Sequence, residues 1–82
     1  MSDDAREVAL ELDCRDQPCP MPVIELAKNL ARVEVGALFA VVAHDPAARV
    51  DVPAWCRMRG QEWVGEDTAA DGAPRFVVRR LT

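Results

Sequence analysis

Ala37-Leu38-Phe39-Ala40-Val41-Val42-Ala43 is the stretch whose reading decides the fold. It is apolar at every position and rich in β-formers, so it predicts a central strand covered on at least part of both faces. Towards the N-terminus the period changes: Val23, Leu26, Ala27, Leu30 and Ala31 share one side, with Glu25, Lys28, Asn29 and Arg32 on the other. This predicts an amphipathic helix that ends near Gly36. Earlier still, Val8, Leu10 and Leu12 alternate with Glu7, Ala9 and Glu11, the pattern of a strand with one wet face. Strand, helix and strand in this order imply a right-handed parallel crossover.

Working from the same stretch towards the C-terminus, Asp45-Pro46 offers an N-cap followed by a favoured first helical residue, and Asp51-Val52-Pro53 repeats the signal. The expectation is a turn over 46–50, then a helix from Val52 to Arg59 closed by Gly60. Val52, Trp55 and Cys56 share its apolar side, which makes Cys56 a packed core residue. A third strand is predicted over 61–66 around Trp63 and Val64, and a fourth over 75–81 around Phe76, Val77 and Val78. Residues 67–74, with Asp71-Gly72, connect them as a surface loop. The order βαβαββ predicts an α/β fold, a two-layer α/β sandwich formed by residues 1–82 as one domain, with 1–6 expected to fray.

Composition narrows the function. With 82 residues, half of them hydrophobic, the chain can bury one modest core and has no room for a separate substrate domain. Ten basic against fourteen acidic residues give a formal charge of −4, a poor basis for gripping nucleic acid phosphates, so protein partners or a small cargo are expected. The acidic start Met1-Ser2-Asp3-Asp4 does not resemble a signal peptide, and the apolar run 37–43 is too short to span a bilayer. A cytoplasmic protein without membrane contact is the expectation. Three cysteines suit a reducing compartment better than a disulfide framework. Their spacing, with His44 as the one histidine, fits no zinc pattern, so neither a metal nor a cofactor is expected.

The chemistry points to Cys19-Pro20-Met21-Pro22. Pro20 and Pro22 carry the φ a helix needs and lack amide donors that its first turn cannot use, so a helix is predicted to begin at one of them. A thiol at that mouth meets the positive end of the peptide dipoles, which favour the thiolate by up to about 2 kcal/mol. Cys19 is therefore the candidate nucleophile. Arg15, in the polar loop 13–18, is the nearest positive charge to support a thiolate, or else forms a salt bridge to Asp13 or Asp16. Cys14 is either a second thiol that resolves Cys19 or a packed residue at the end of the first strand. His44 reads as a loop residue, since nothing in sequence ties it to Cys19.

Taken together, Leu12-Asp13-Cys14-Arg15, Cys19-Pro20-Met21-Pro22-Val23-Ile24, Asp45-Pro46-Ala47, Asp51-Val52-Pro53-Ala54-Trp55-Cys56 and Gly60 resemble the TusA-like (SirA-like) sulfur carriers, a family of small sulfurtransferases. The resemblance implies a mixed four-stranded sheet with both helices on one face, like the C-terminal domain of the third bacterial initiation factor. It implies that Cys19 accepts sulfane sulfur as a persulfide from a cysteine desulfurase or rhodanese-type donor and passes it to a downstream acceptor protein. The family's relays serve tRNA thiolation, molybdenum cofactor supply or sulfur oxidation. Three positions depart from the family's usual pattern: Asp16 stands where a glycine is common, His44 where an acid is, and Gln61 where a histidine is. The alternatives are a non-catalytic regulatory or interaction domain of the same fold, and a thiol redox protein cycling Cys14 and Cys19.

Overall fold

The structure, a computed structural model, describes residues 8–17 and 21–82. Strand β1 (Leu10–Asp13) leads through a turn to helix α1 (Met21–Asn29), which tightens into a 3-10 turn over Leu30–Arg32. Then follow β2 (Leu38–Val42), α2 (Ala48–Arg59), β3 (Glu62–Thr68) and β4 (Pro74–Arg79). The sheet runs β1-β2-β4-β3, with β1 parallel to β2 and the other two pairings antiparallel. The predicted element order and the mixed sheet are both present.

The central strand is β2. Phe39, Ala40, Val41, Val42 and Ala43 are all fully buried, although their side chains alternate between two faces. Phe39, Val41 and Ala43 join Phe76 and Val78 of β4, Leu26 of α1, and Ala48, Val52, Trp55 and Cys56 of α2 in one core cluster. Both helices therefore cover the same face.

Among the described residues the opposite face carries no helix; it is covered by charge and by Ala69 and Ala73 of the β3–β4 connection, which cluster with Val42. Arg75 donates to Asp67 on β3 at 2.8 Å and to Glu11 on β1 at 3.1 Å, so its side chain links both edges of the sheet. Ala40, Val42 and Val77 lie on this face, yet each is fully buried. A register shift between Trp63 and Gly65 makes the arrangement possible. The additional residue lets Trp63 stack on Phe76 on the helix side, with ring centroids 6.3 Å apart, while Asp67 meets Arg75 on the other.

Several boundaries differ from expectation. Helix α1 stops at Asn29, whose side-chain amide donates to the Glu25 carbonyl, and the 3-10 turn leaves Ala31 exposed, off the predicted apolar side. The Arg80 guanidinium then takes the Val33 carbonyl at 2.6 Å, placing a cation at the helix's negative end. Helix α2 starts four residues earlier than predicted and continues through Pro53. Pro53 has no amide to give the Arg49 carbonyl, so the helix forgoes that one bond. Asp45 is not the helix cap expected of it: the N-cap is Ala47, which makes no side-chain cap bond, and the Asp45 carboxylate instead accepts the Ala47 amide at 2.9 Å within the turn that precedes the helix. At the far end Gly60 has φ +72°, and the Gln61 amide returns to the Cys56 carbonyl at 2.9 Å, the left-handed closure for which glycine is suited.

Candidate functional site

The candidate site lies at the end of β1, where the chain turns towards α1. The Cys14 amide donates to the Val42 carbonyl at 2.8 Å, continuing the parallel ladder one residue beyond β1. The Gln17 amide donates to the Cys14 carbonyl at 3.1 Å, so residues 14–17 close a turn. Cys19, Pro18 and Pro20 lie outside the described residues. In sequence Cys19 stands two residues from Gln17 and two from Met21, the first residue of α1. Pro22 is fully buried within that helix's first turn.

Arg15 is held from two sides. Its Nε and a terminal nitrogen donate to the two carboxylate oxygens of Asp71 at 2.9 and 3.1 Å, and its other terminal nitrogen lies 2.9 Å from Asp13. Its own amide donates to the same Asp13 carboxylate at 3.1 Å. The guanidinium stays protonated under these contacts, and the carboxylates respond in the opposite sense. Asp71 is lowered to about 2, first by Arg15 and then by the Ala73 amide it accepts. Asp13 is lowered by the Arg15 amide and then by its guanidinium. Of the two readings of Arg15 the salt bridge is the one present, with Asp13 as one partner and Asp71 as another.

Sequence reasoning missed Asp71 as a partner, reading it only as a turn residue. It stands 56 residues from Arg15, and no local signal connects the two. Gln61 is a second unexpected feature. Its buried side chain donates to the Arg59 carbonyl at 3.1 Å and to the Thr82 hydroxyl at 3.3 Å, and accepts the Leu81 amide at 2.7 Å. It ties the C-terminus to the end of α2.

The two described cysteines are both packed in the core, each 1 % exposed. Burial pushes the Cys14 thiol up, with Glu25 and Asp13 adding to the shift. Burial also pushes Cys56 up to about 11, against a small opposing effect of Arg57. Both are thereby kept as thiols at neutral pH. His44 is exposed.

Among the described residues no group of three or more His, Cys, Asp or Glu side chains is placed to hold a metal ion. Among the described residues, too, no helix is long and apolar enough to cross a membrane. A cleft of about 430 Å³, lined by Val8, Ala9, Gly36, Ala37, Leu38 and Arg79, lies at the other end of the sheet, where β1 and β2 begin. The turn towards Cys19 is at the ends of those strands, away from it.

The family model described as "Sulfurtransferase TusA" matches residues 10–80. The chain belongs to this family. Two curated relatives, both from Archaeoglobus fulgidus, carry the name "Putative sulfur carrier protein". One is 39% identical over 69 residues, covering 84% of this chain and 90% of the relative. The other is 36% identical over 70 residues, covering 85% and 94%. Among solved structures the chain is similar in fold to a SirA-like protein from Desulfitobacterium hafniense, with a TM-score of 0.73 and 22% identity over 89% of this chain and 99% of that one. The TusA-like fold expected from sequence is the fold observed.

Proposed function

We propose that this TusA-family chain is a sulfur carrier that holds sulfane sulfur as a persulfide on Cys19. The observation that carries the reading is the family match over 10–80, which takes in the Cys-Pro-Met-Pro motif. The burial of the other two thiols supports it, since a thiolate is the nucleophile and neither Cys14 nor Cys56 is disposed to be one.

The reaction is an exchange. The Cys19 thiolate attacks the outer sulfur of a donor persulfide, a new sulfur–sulfur bond forms on Cys19, and the donor's bond breaks to release its cysteine as thiolate. Delivery repeats the step, with an acceptor thiolate attacking the outer sulfur on Cys19. No electrons are gained or lost overall. The donor is a cysteine desulfurase or rhodanese-type enzyme and the acceptor a downstream protein, in a relay serving tRNA thiolation, molybdenum cofactor supply or sulfur oxidation.

In this reading the supporting role of Arg15 is mechanical. With two carboxylates on its guanidinium, it carries little unbalanced positive charge to offer a thiolate. The test is intact-protein mass spectrometry after incubation with a cysteine desulfurase and cysteine. The wild type should gain one sulfur atom, reversed by reductant, and Cys19→Ser should gain none. Uptake by neither protein, from this or a thiosulfate-fed donor, would leave an interaction module of the same fold. A Cys14–Cys19 disulfide on mild oxidation, with both residues required for activity, would point to the redox reading instead.

A further inference from the structure

The chain leaves β1 as a short turn and, two residues after Gln17, reaches Cys19. Two residues of polypeptide span at most about 7 Å, so whatever fixes Gln17 limits where the thiol can be presented. On the β1 side the turn is held by the Cys14 amide on the Val42 carbonyl. Its outer part is held by Arg15, and the distant group on Arg15 is Asp71, in the connection between β3 and β4.

That connection is itself well braced. The Ala69 amide donates to the Ala73 carbonyl at 2.8 Å, and the Gly72 amide to the Ala69 carbonyl at 2.9 Å. Gly72 takes φ +88°, a left-handed conformation that favours glycine. The Asp71 carboxylate also accepts the Ala73 amide at 3.2 Å, which sets the direction in which it faces. A two-point guanidinium–carboxylate pair transmits orientation as well as attraction, because both N–H bonds must align in one plane. An exposed ion pair adds little to global stability. This one joins segments 56 residues apart, one of them the turn that ends two residues before Cys19 in sequence.

We propose that Asp71 is a positioning residue for sulfur transfer, acting through its two-point pair with Arg15 to hold the 14–17 turn that presents Cys19. The inference rests on the sulfur-carrier reading for its reaction, and on the short chain connection from Gln17 to Cys19 for its effect on the thiol. Presentation matters because donor and carrier sulfurs must meet in line, and small misplacements of a reacting atom cost rate steeply.

The test compares the full chain as wild type, Asp71→Asn, Asp71→Glu and Glu66→Gln. Asparagine keeps an oxygen for the Ala73 amide, so the connection stays folded while the charged second point on Arg15 is lost. Glu66→Gln removes a two-point pair of the same kind, to Arg49 at 2.8 and 2.9 Å on another part of the surface. Two rates are followed by mass spectrometry: single-turnover sulfur transfer from a cysteine desulfurase charged with cysteine, and alkylation of Cys19 by iodoacetamide. Asp71→Asn should slow transfer by about tenfold and change the alkylation rate several-fold, Asp71→Glu should recover most of the transfer, and Glu66→Gln should match wild type.

The proposal is overturned if Asp71→Asn matches wild type in both rates, or if Glu66→Gln changes them as much. Should the wild type accept no sulfur, the carrier reading falls and the alkylation arm alone decides whether Asp71 positions the thiol. If Asp71→Asn does not fold, Arg15→Lys serves in its place, keeping the charge and losing the two-point geometry.

Discussion

Cys14 and Cys56 carry the same thiol group as Cys19, and both are packed in the core. Each thiolate would be stranded among apolar side chains, and for Cys14 the nearby Glu25 and Asp13 add repulsion. With Cys56 near 11, about one molecule in a thousand carries that thiolate at pH 8. In the folded protein at pH 8, iodoacetamide followed by peptide mass spectrometry should leave both residues unmodified, and denaturant should expose both. Cys14→Ser should lower stability by about 1–3 kcal/mol in chemical denaturation, because it buries a hydroxyl that needs a partner. It should leave sulfur uptake intact, and a loss of uptake in a folded Cys14→Ser protein would revive Cys14 as a working thiol. At this scale the sequence was informative about Cys56, whose place on the apolar side of a helix predicts its burial. For Cys14 both a packed residue and a second thiol fitted, because a strand's last residue can point either way until its neighbours are in place.

Among the elements, the turn after β1 and the connection before β4 depend on each other through charge. The folded-state pKa of Asp71, about 2, lies below its ordinary 3.8, and Asp13 moves in the same direction. A carboxylate with a depressed folded pKa stabilises the fold fully above its unfolded value and ceases to do so as pH falls through the folded one. The stability difference between wild type and Asp71→Asn should therefore be constant from neutral pH down to just above 4, shrink below that, and vanish near pH 2. Denaturant unfolding at a series of pH values checks it; the difference should be modest and smaller in high salt, since both groups are exposed. A difference that grew as pH fell would contradict the pairing. The elements' existence and order were legible from period and punctuation, whereas their ends were less so. Helix α2 runs through a proline that reads locally as a start, because Ala48 and Val52 both gain burial by extending it.

At the scale of the fold the two sheet faces are protected by different means, one by helices and the other by ionised side chains together with Ala69 and Ala73 of the β3–β4 connection. Arg75 is central to the second, 13% exposed, with its stem over the sheet and its head between Asp67 and Glu11. Arg75→Ala should destabilise by about 2–4 kcal/mol in chemical denaturation, as it uncovers apolar surface and leaves partly buried carboxylates without their cation. Arg75→Met should recover part of that loss by restoring the cover without the charge. If both variants unfold like wild type, the charged layer is incidental. By itself the sequence determined the element order, the central buried strand, the parallel crossover and the motif that places the chain in its family, because periodicity, proline and glycine act within a few residues. Only the tertiary structure decided the sheet order, the flip at Gly65 that separates Trp63 from Asp67, and the partners of Arg15, Gln61 and Arg75. Those contacts join side chains many residues apart, and a charged residue in an alternating strand looks the same in sequence whether it faces water or lies across its own sheet.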